Sequence, residues 1–248
     1  MKKYLNIILA IIIFTLAWLG FYLLLQRPFL PGPAATAGAL VNMAQSGRLF
    51  EHLGASLSRI FWAVLTSIFP AAALGLAAGR CPRVNSFISP VVYILHPLPK
   101  AAFLPVIMLF FGIGEAARVF LVGFIIFSQV LMTMRDCGRQ VSEELLDAAR
   151  SLGMGRGGLL FHVVIPSVLP GFFTALRISL GTAVAVLFLA ETFAAQSGLG
   201  FLIMDAWSRL AYAEMYAGIM ALSIIGLLLF FAVDFLEAII CPWIKPAD

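Results

Sequence analysis

Charge is scarce in this chain. Of its 248 residues, 11% are Asp, Glu, Lys or Arg, against about 25% in an ordinary soluble domain. That shortage excludes a water-soluble globular fold. Cysteine is sparse too: Cys81, Cys137 and Cys241 stand far apart, in segments assigned below to the cytoplasmic side. Neither a disulfide framework nor a cysteine metal site fits that spacing. His52, His96 and His162 lie in separate segments, which excludes the usual metal and catalytic-triad patterns. No G-x4-G-K-[ST] run is present, so nothing cradles a nucleotide phosphate. The net charge of +4 is explained by basic anchors at a membrane face rather than by nucleic acid.

What the chain has is apolar sequence in long runs. Hydrophobic residues make up 62% of it and the mean hydropathy is +1.04. Residues 5–26, 60–79 and 215–233 contain no Asp, Glu, Lys or Arg, and a helix of about 20 apolar residues crosses a bilayer. The first run exceeds the roughly 7–15 apolar residues of a cleavable signal and reads as a retained span. Six spans account for the pattern, at about 5–25, 57–79, within 84–112, 117–134, 170–190 and 213–239. The fold class is therefore all-α and membrane-embedded, with one membrane domain over residues 1–248. The third region is too long for one straight rod: residues 84–114 would make about 46 Å of helix, against a hydrocarbon core of about 30 Å. Pro90, Pro97, Pro99 and Pro105 inside it predict a bend or break.

An N-terminus inside the cell puts Lys2, Lys3, Arg80, Arg83, Arg135, Arg139, Arg150, Arg156 and Lys245 on the cytoplasmic side and leaves Arg27, Arg48, Arg59, Arg118 and Arg209 outside. The basic bias favours this orientation, with both termini cytoplasmic. Residues 27–54 then form an extracytoplasmic segment, Pro/Gly-rich and afterwards amphipathic, suited to the membrane surface. In the second span Ala71, Gly75 and Gly79 recur every four residues, a stripe that lets another helix approach closely. Whether that neighbour lies in the same chain stays open at this point.

Between the fourth and fifth spans stands the polar stretch "EELLDAARSLGMGRGGLLFHVVIPSVLPG". Residues 143–152 are strong helix formers, Ser142 can cap them, and the acidic residues sit at the start with Arg150 toward the end. Leu145, Ala148, Ala149 and Leu152 share one helical face, Gly153 permits a sharp turn, and a second short helix is expected before Pro166. An exposed Ala/Leu face on such a loop suits docking.

At these residues the chain resembles the permeases of binding-protein-dependent ABC importers. Their cytoplasmic loop follows E-A-A-x3-G-x9-I-x-L-P, and Asp147, Ala148, Ala149, Gly153, Val163, Ile165 and Pro166 stand at those intervals. The departures are Asp for Glu, Val for Ile and Ile for Leu. "EHLGASLSRI", "HPLPKAAFLPVIMLFFGIGE", "AETFAAQSGLG" and the terminal "CPW" are also similar, and point to the nitrate, sulfonate, taurine and bicarbonate branch. The resemblance implies a type I importer permease fold with a family core of about 50–240 and a coupling loop of about 139–166. It implies a bacterial inner-membrane location and a second permease subunit, in the first place another copy of this chain. Two ATPase subunits that hold ATP and Mg, and an extracytoplasmic substrate-binding protein, would complete the complex. No cofactor is expected on this chain. The solute would be small and anionic, with a neutral or cationic solute such as a thiamine precursor as the alternative. The broken third segment alone would also suit a secondary transporter or channel, which needs no docking loop.

Ionisable residues inside spans face a pathway or a partner. Lys100 lies in the proline-rich third region beside His96 and Pro99, and either lines a pathway or snorkels to an interface. Arg177 and Glu191 in the fifth span match family positions, and ion pairing or helix anchoring is their expected role.

Overall fold

The computed structural model describes residues 2–95 and 97–243, with side chains from Leu9 onward. Every regular element among them is helical: α1 (Lys2–Leu25), α2 (Pro33–Gln45), α3 (Arg48–Arg80), α4 (Pro82–Leu95), a 3-10 turn (Lys100–Phe103), α5 (Leu104–Phe111), α6 (Glu115–Gln140), α7 (Glu143–Ser151), α8 (Arg156–Leu159), α9 (Ile165–Thr192), α10 (Leu199–Ser208) and α11 (Tyr212–Ile240). Helices α3, α6, α11 and the continuous stretch Arg156–Thr192 are each long and apolar enough to cross a membrane. The α4/α5 pair passes the same test together, with a bend of 85° at its break, and counts as a fifth if it is one span; with the shorter apolar helix α1 the pattern is consistent with about six. The protein is an all-α integral membrane protein.

The break in the third span falls after Leu95. Pro90 stays inside α4, and Pro105 sits in the first turn of α5, where a missing N–H leaves no bond unmade. Of the four prolines, only Pro97 and Pro99 lie in the non-helical link.

Two compact units emerge from the packing: Met1–Leu57 with Glu191–Ile224, and Ser58–Ala190 with Ile225–Asp248. In the first, Trp18 Nε1 donates to the Pro31 carbonyl at 3.1 Å and its ring stacks on Tyr216 with centroids 5.9 Å apart. Elsewhere α1 turns large side chains such as Phe14 and Leu24 outward, as a lipid-facing helix does. Arg48, Asp205, Arg209 and Glu214 form an ion-pair cluster with separations of 2.8–3.3 Å. Hydrogen bonds to Glu214 and then Asp205 hold the Arg209 guanidinium above its ordinary range.

The second unit packs α3 against α6 along the small-residue stripe. A Cβ on Gly75 would stand 2.5 Å from the Leu131 carbonyl oxygen, and one on Gly79 2.5 Å from that of Arg135. Gly138 answers from the other side, its own Cβ position 3.3 Å from the Gly79 Cα. The neighbour for which the stripe makes room is thus in the same chain. Around this seam Ile60, Ala63, Val122, Ile126, Val130 and Leu187 form the core. Burial pushes the Cys241 thiol up.

Candidate functional site

The polar loop between α6 and α9 is built on a complete helix cap at each end of α7. Ser142 Oγ accepts from the Leu145 N–H at 3.5 Å, with Glu143 and Glu144 in the first turn and Arg150 in the last, as the helix dipole favours. At the other end the Gly153 N–H donates to the Arg150 carbonyl at 2.9 Å and the Met154 N–H to the Ala149 carbonyl at 3.2 Å. Those paired bonds around a left-handed residue make a Schellman motif, and Gly153 has φ +81°. The motif spacing of Ala149 and Gly153 is therefore the spacing of this cap. Arg80 reaches from the end of α3 to Glu143 at 3.1 Å and steadies the loop.

The expected face of α7 divides. Leu146, 2% exposed, and Ala149 pack inward with Val163 and Val164. Leu145, Ala148 and Leu152 face outward, Leu152 with 83% of its surface exposed. Ala149 thus belongs to the protein's own core and not to the outer surface. Asp147 pairs with Arg150 at 2.6 Å on the exposed side.

The second short helix is not separate either. Arg156–Leu159 continues through a wide π turn, Leu160–Val164, into α9, with the Ile165 N–H returning to the Leu160 carbonyl. Pro166 has no N–H to donate, and the wide turn directly before it rearranges the bonding so that the helix runs on instead of ending. Val163 is buried, and Ile165 and Pro166 are half-buried.

Among the described residues, three further polar networks involve the membrane-spanning helices. In the first unit Glu191, 1% exposed, accepts from Ser56 Oγ at 2.7 Å and from the Gly200 N–H at 2.8 Å. Ser56 Oγ also accepts from the Leu199 N–H at 2.9 Å, and His52 Nδ1 from the Gly198 N–H at 3.2 Å. Three successive N–H groups that α10 cannot satisfy itself are thereby bound by side chains, which leaves His52 Nδ1 as an acceptor. In the second unit Arg59, 2% exposed, makes a two-pronged ion pair with Glu115 at 2.5 and 2.7 Å. Arg118 donates to the same carboxylate at 3.4 Å and to the Ala190 carbonyl at 3.3 Å. Also in the second unit, Arg177 pairs with Asp234 at 2.7 Å and Glu237 at 2.6 Å.

Of the intramembrane candidates, then, Arg177 and Glu191 have side-chain or backbone partners. Lys100 Nζ donates to the Leu95 carbonyl at 2.7 Å, across the break in the third span. Pro99 is exposed at the start of the 3-10 turn. His96 lies outside the described residues. Sequence reasoning did not single out Arg59, Glu115 and Arg118 as a cluster, or Asp234 and Glu237 as the acids facing Arg177. One signal was available: Asp234 and Glu237, three residues apart, are the only acidic residues of α11 beyond Glu214, and such a pair demands a cation.

These features define a class: a multi-span helical permease whose capped polar helix projects between two spanning helices. The chain belongs to the family of binding-protein-dependent transport system inner membrane components, whose model matches residues 71–246. It is 34% identical to the taurine transport system permease protein TauC of Escherichia coli, over 94% of this chain and 86% of that one. It is 29% identical to the putative aliphatic sulfonates transport permease protein SsuC of Bacillus subtilis, over 86% of this chain and 78% of the relative. A putative ABC transporter permease protein of Methanocaldococcus jannaschii is 29% identical over 87% of this chain and 83% of its own length. The protein is a transport permease of the inner membrane.

Proposed function

We propose that the chain forms the translocation pathway of an ATP-driven importer for small organic sulfonates, delivered by an extracytoplasmic binding protein. The observation that carries the substrate class is the 34% identity, along nearly the whole chain, to a permease named for taurine. The aliphatic sulfonate permeases among its relatives agree with an anionic solute and argue against a thiamine-like one.

The loop between α6 and α9 supplies the coupling. Leu145, Ala148 and Leu152 offer an apolar face, and Leu145 also borders a shallow groove of about 380 Å³ that reaches His162, Pro166 and Trp243. An ATPase subunit of the complex docks there, and the Gly153 cap fixes the angle at which α7 meets it. Two copies of this chain and two ATPase subunits make the working complex, with both termini in the cytoplasm.

Reconstitution of the permease with its ATPase and binding protein in liposomes tests this reading. ATP-dependent uptake of taurine or ethanesulfonate that vanishes without the binding protein is expected. Uptake that proceeds without ATP, driven by an ion gradient, would overturn it in favour of a secondary transporter.

A further inference from the structure

Where α4 meets the second half of α6, a pocket of about 430 Å³ is walled by Ser89, Val92, Tyr93, Pro97, Met132 and Arg135. The whole wall belongs to the second compact unit. Arg135 stands near the end of α6 that runs into the polar loop, so under the proposed topology the pocket lies on the inner half of the span. Its guanidinium is poorly provided for. The ion-pair contact is with the chain neighbour Asp136, whose Oδ1 is 3.5 Å from Nε, and Nε is covered with no hydrogen-bond partner. The two Nη nitrogens donate to no described residue either, but they keep open surface, in a side chain that is 15% exposed. The hydroxyls of Ser89 and Tyr93 in the same wall are also uncommitted among the described residues.

An ionisable group inside a span faces a pathway or a partner. A guanidinium fork beside two hydroxyl donors has the oxyanion head of a small molecule as its complement, because the fork can bind two oxygens at once. The volume is in the range of small-ligand pockets. Val92 and Met132 also line a second, mainly apolar cavity of about 180 Å³, whose cation is Lys100. The two spaces therefore share a wall, with one cation on each side of it. A lipid headgroup at the membrane face would call for Arg135 alone, whereas two cations in succession suit an anion that passes. We propose that the pocket is an oxyanion subsite on the inner half of the permeation route, where Arg135 holds the anionic head of the solute and Ser89 and Tyr93 donate to it before release. The inference rests on the reading of the chain as an importer of small anions.

Two arms test it on the complete transporter, and the first needs no transport. In the Ser89→Cys variant, purified in detergent, the thiol is labelled with two methanethiosulfonates of similar size, one ending in a sulfonate and one in a quaternary ammonium. Labelling is read by mass on the peptide that carries residue 89, and each rate is divided by that on a neutral free thiol. The sulfonate reagent is expected to be favoured roughly tenfold by the local charge, and Arg135→Gln should abolish the preference. Excess taurine should slow the labelling, and a short-chain phosphatidylglycerol should not. The second arm is ATP-dependent uptake of taurine in liposomes with the binding protein. Arg135→Gln should lower it roughly tenfold, as loss of a hydrogen bond to a charged group does, and Arg135→Lys should lower it less. The thermal midpoint of Arg135→Gln should not fall, because the group removed has no hydrogen bond to lose. A midpoint that drops would mark a structural role and overturn the proposal. So would equal normalised rates for the two reagents, a preference that survives Arg135→Gln, protection by the lipid and not by taurine, or unchanged uptake in Arg135→Gln. A wild type that keeps the charge preference but carries no taurine would overturn the sulfonate reading and support the oxyanion pocket. One that carries taurine without the preference would overturn the pocket alone.

Discussion

A single backbone angle decides the shape of the loop. Gly153 lies at φ +81°, where a side chain costs roughly 1–2 kcal/mol. Gly153→Val should therefore loosen the end of α7 while leaving the spans intact, and Gly153→Asn should be tolerated better. The expected outcome is ATP hydrolysis that continues with less solute moved per ATP, read from paired hydrolysis and uptake in liposomes. Ala149 and Leu152 should part company. Ala149→Glu would bury a carboxylate without a partner and lower the yield of folded protein. Leu152→Glu, on an exposed side chain, should leave yield and melting unchanged but weaken co-purification of the ATPase. Normal uptake in both Gly153→Val and Leu152→Glu would sink the docking role of the loop. At this scale Gly153 was legible in the sequence, because only local geometry is at stake. The inward turn of Ala149 was not. A stripe of Leu145, Ala148, Ala149 and Leu152 is wide enough to tilt either way, and the tilt is set by Val163 and Val164, which return from the far side of the loop.

Among the elements, the α3–α6 seam leaves no room for a side chain at Gly75 or Gly79, because the atoms in the way are backbone. Gly75→Leu should force the helices apart and lower the thermal midpoint in detergent, whereas the same change at Gly54, where nothing lies within 4 Å, should be nearly silent. The Arg177 triad makes a second test. Arg177→Met leaves Asp234 and Glu237 facing each other and should destabilise, while adding Asp234→Asn and Glu237→Gln should restore part of the loss. A melting series on the three variants measures that recovery. Proline content revealed that the third span is broken, since four prolines cannot all be absorbed by one rod. It could not reveal where. Pro90 and Pro105 are carried inside helices, and the break falls between them, after Leu95.

For the whole molecule, hydropathy revealed the spans because each is encoded in one contiguous run. The polar networks were hidden because their partners are far apart in the chain: 56 residues separate Arg59 from Glu115 and 135 separate Ser56 from Glu191. Orientation rests on the basic bias alone, and labelling in intact cells checks it. A tag added at the C-terminus should be reachable only after the inner membrane is opened, and a cysteine placed at Ala37 should react from outside. Of the native thiols, Cys241 should resist such reagents because burial both covers it and raises its pKa.

The uninterrupted run from Arg156 to Thr192 makes the loop one end of a shaft. At 1.5 Å per residue it is about 55 Å long, so a small tilt imposed at Arg156 becomes a larger sweep at the opposite tip. The π turn at Leu160–Val164 is the shaft's joint. Inserting one alanine between Leu159 and Leu160, next to that joint, would rotate everything before it by about 100° relative to everything after. Arg156 and the cap at Gly153 would then swing to another side of the shaft. Such a variant should insert, melt lower because Leu146 and Ala149 leave Val163 and Val164, and bind ATPase poorly.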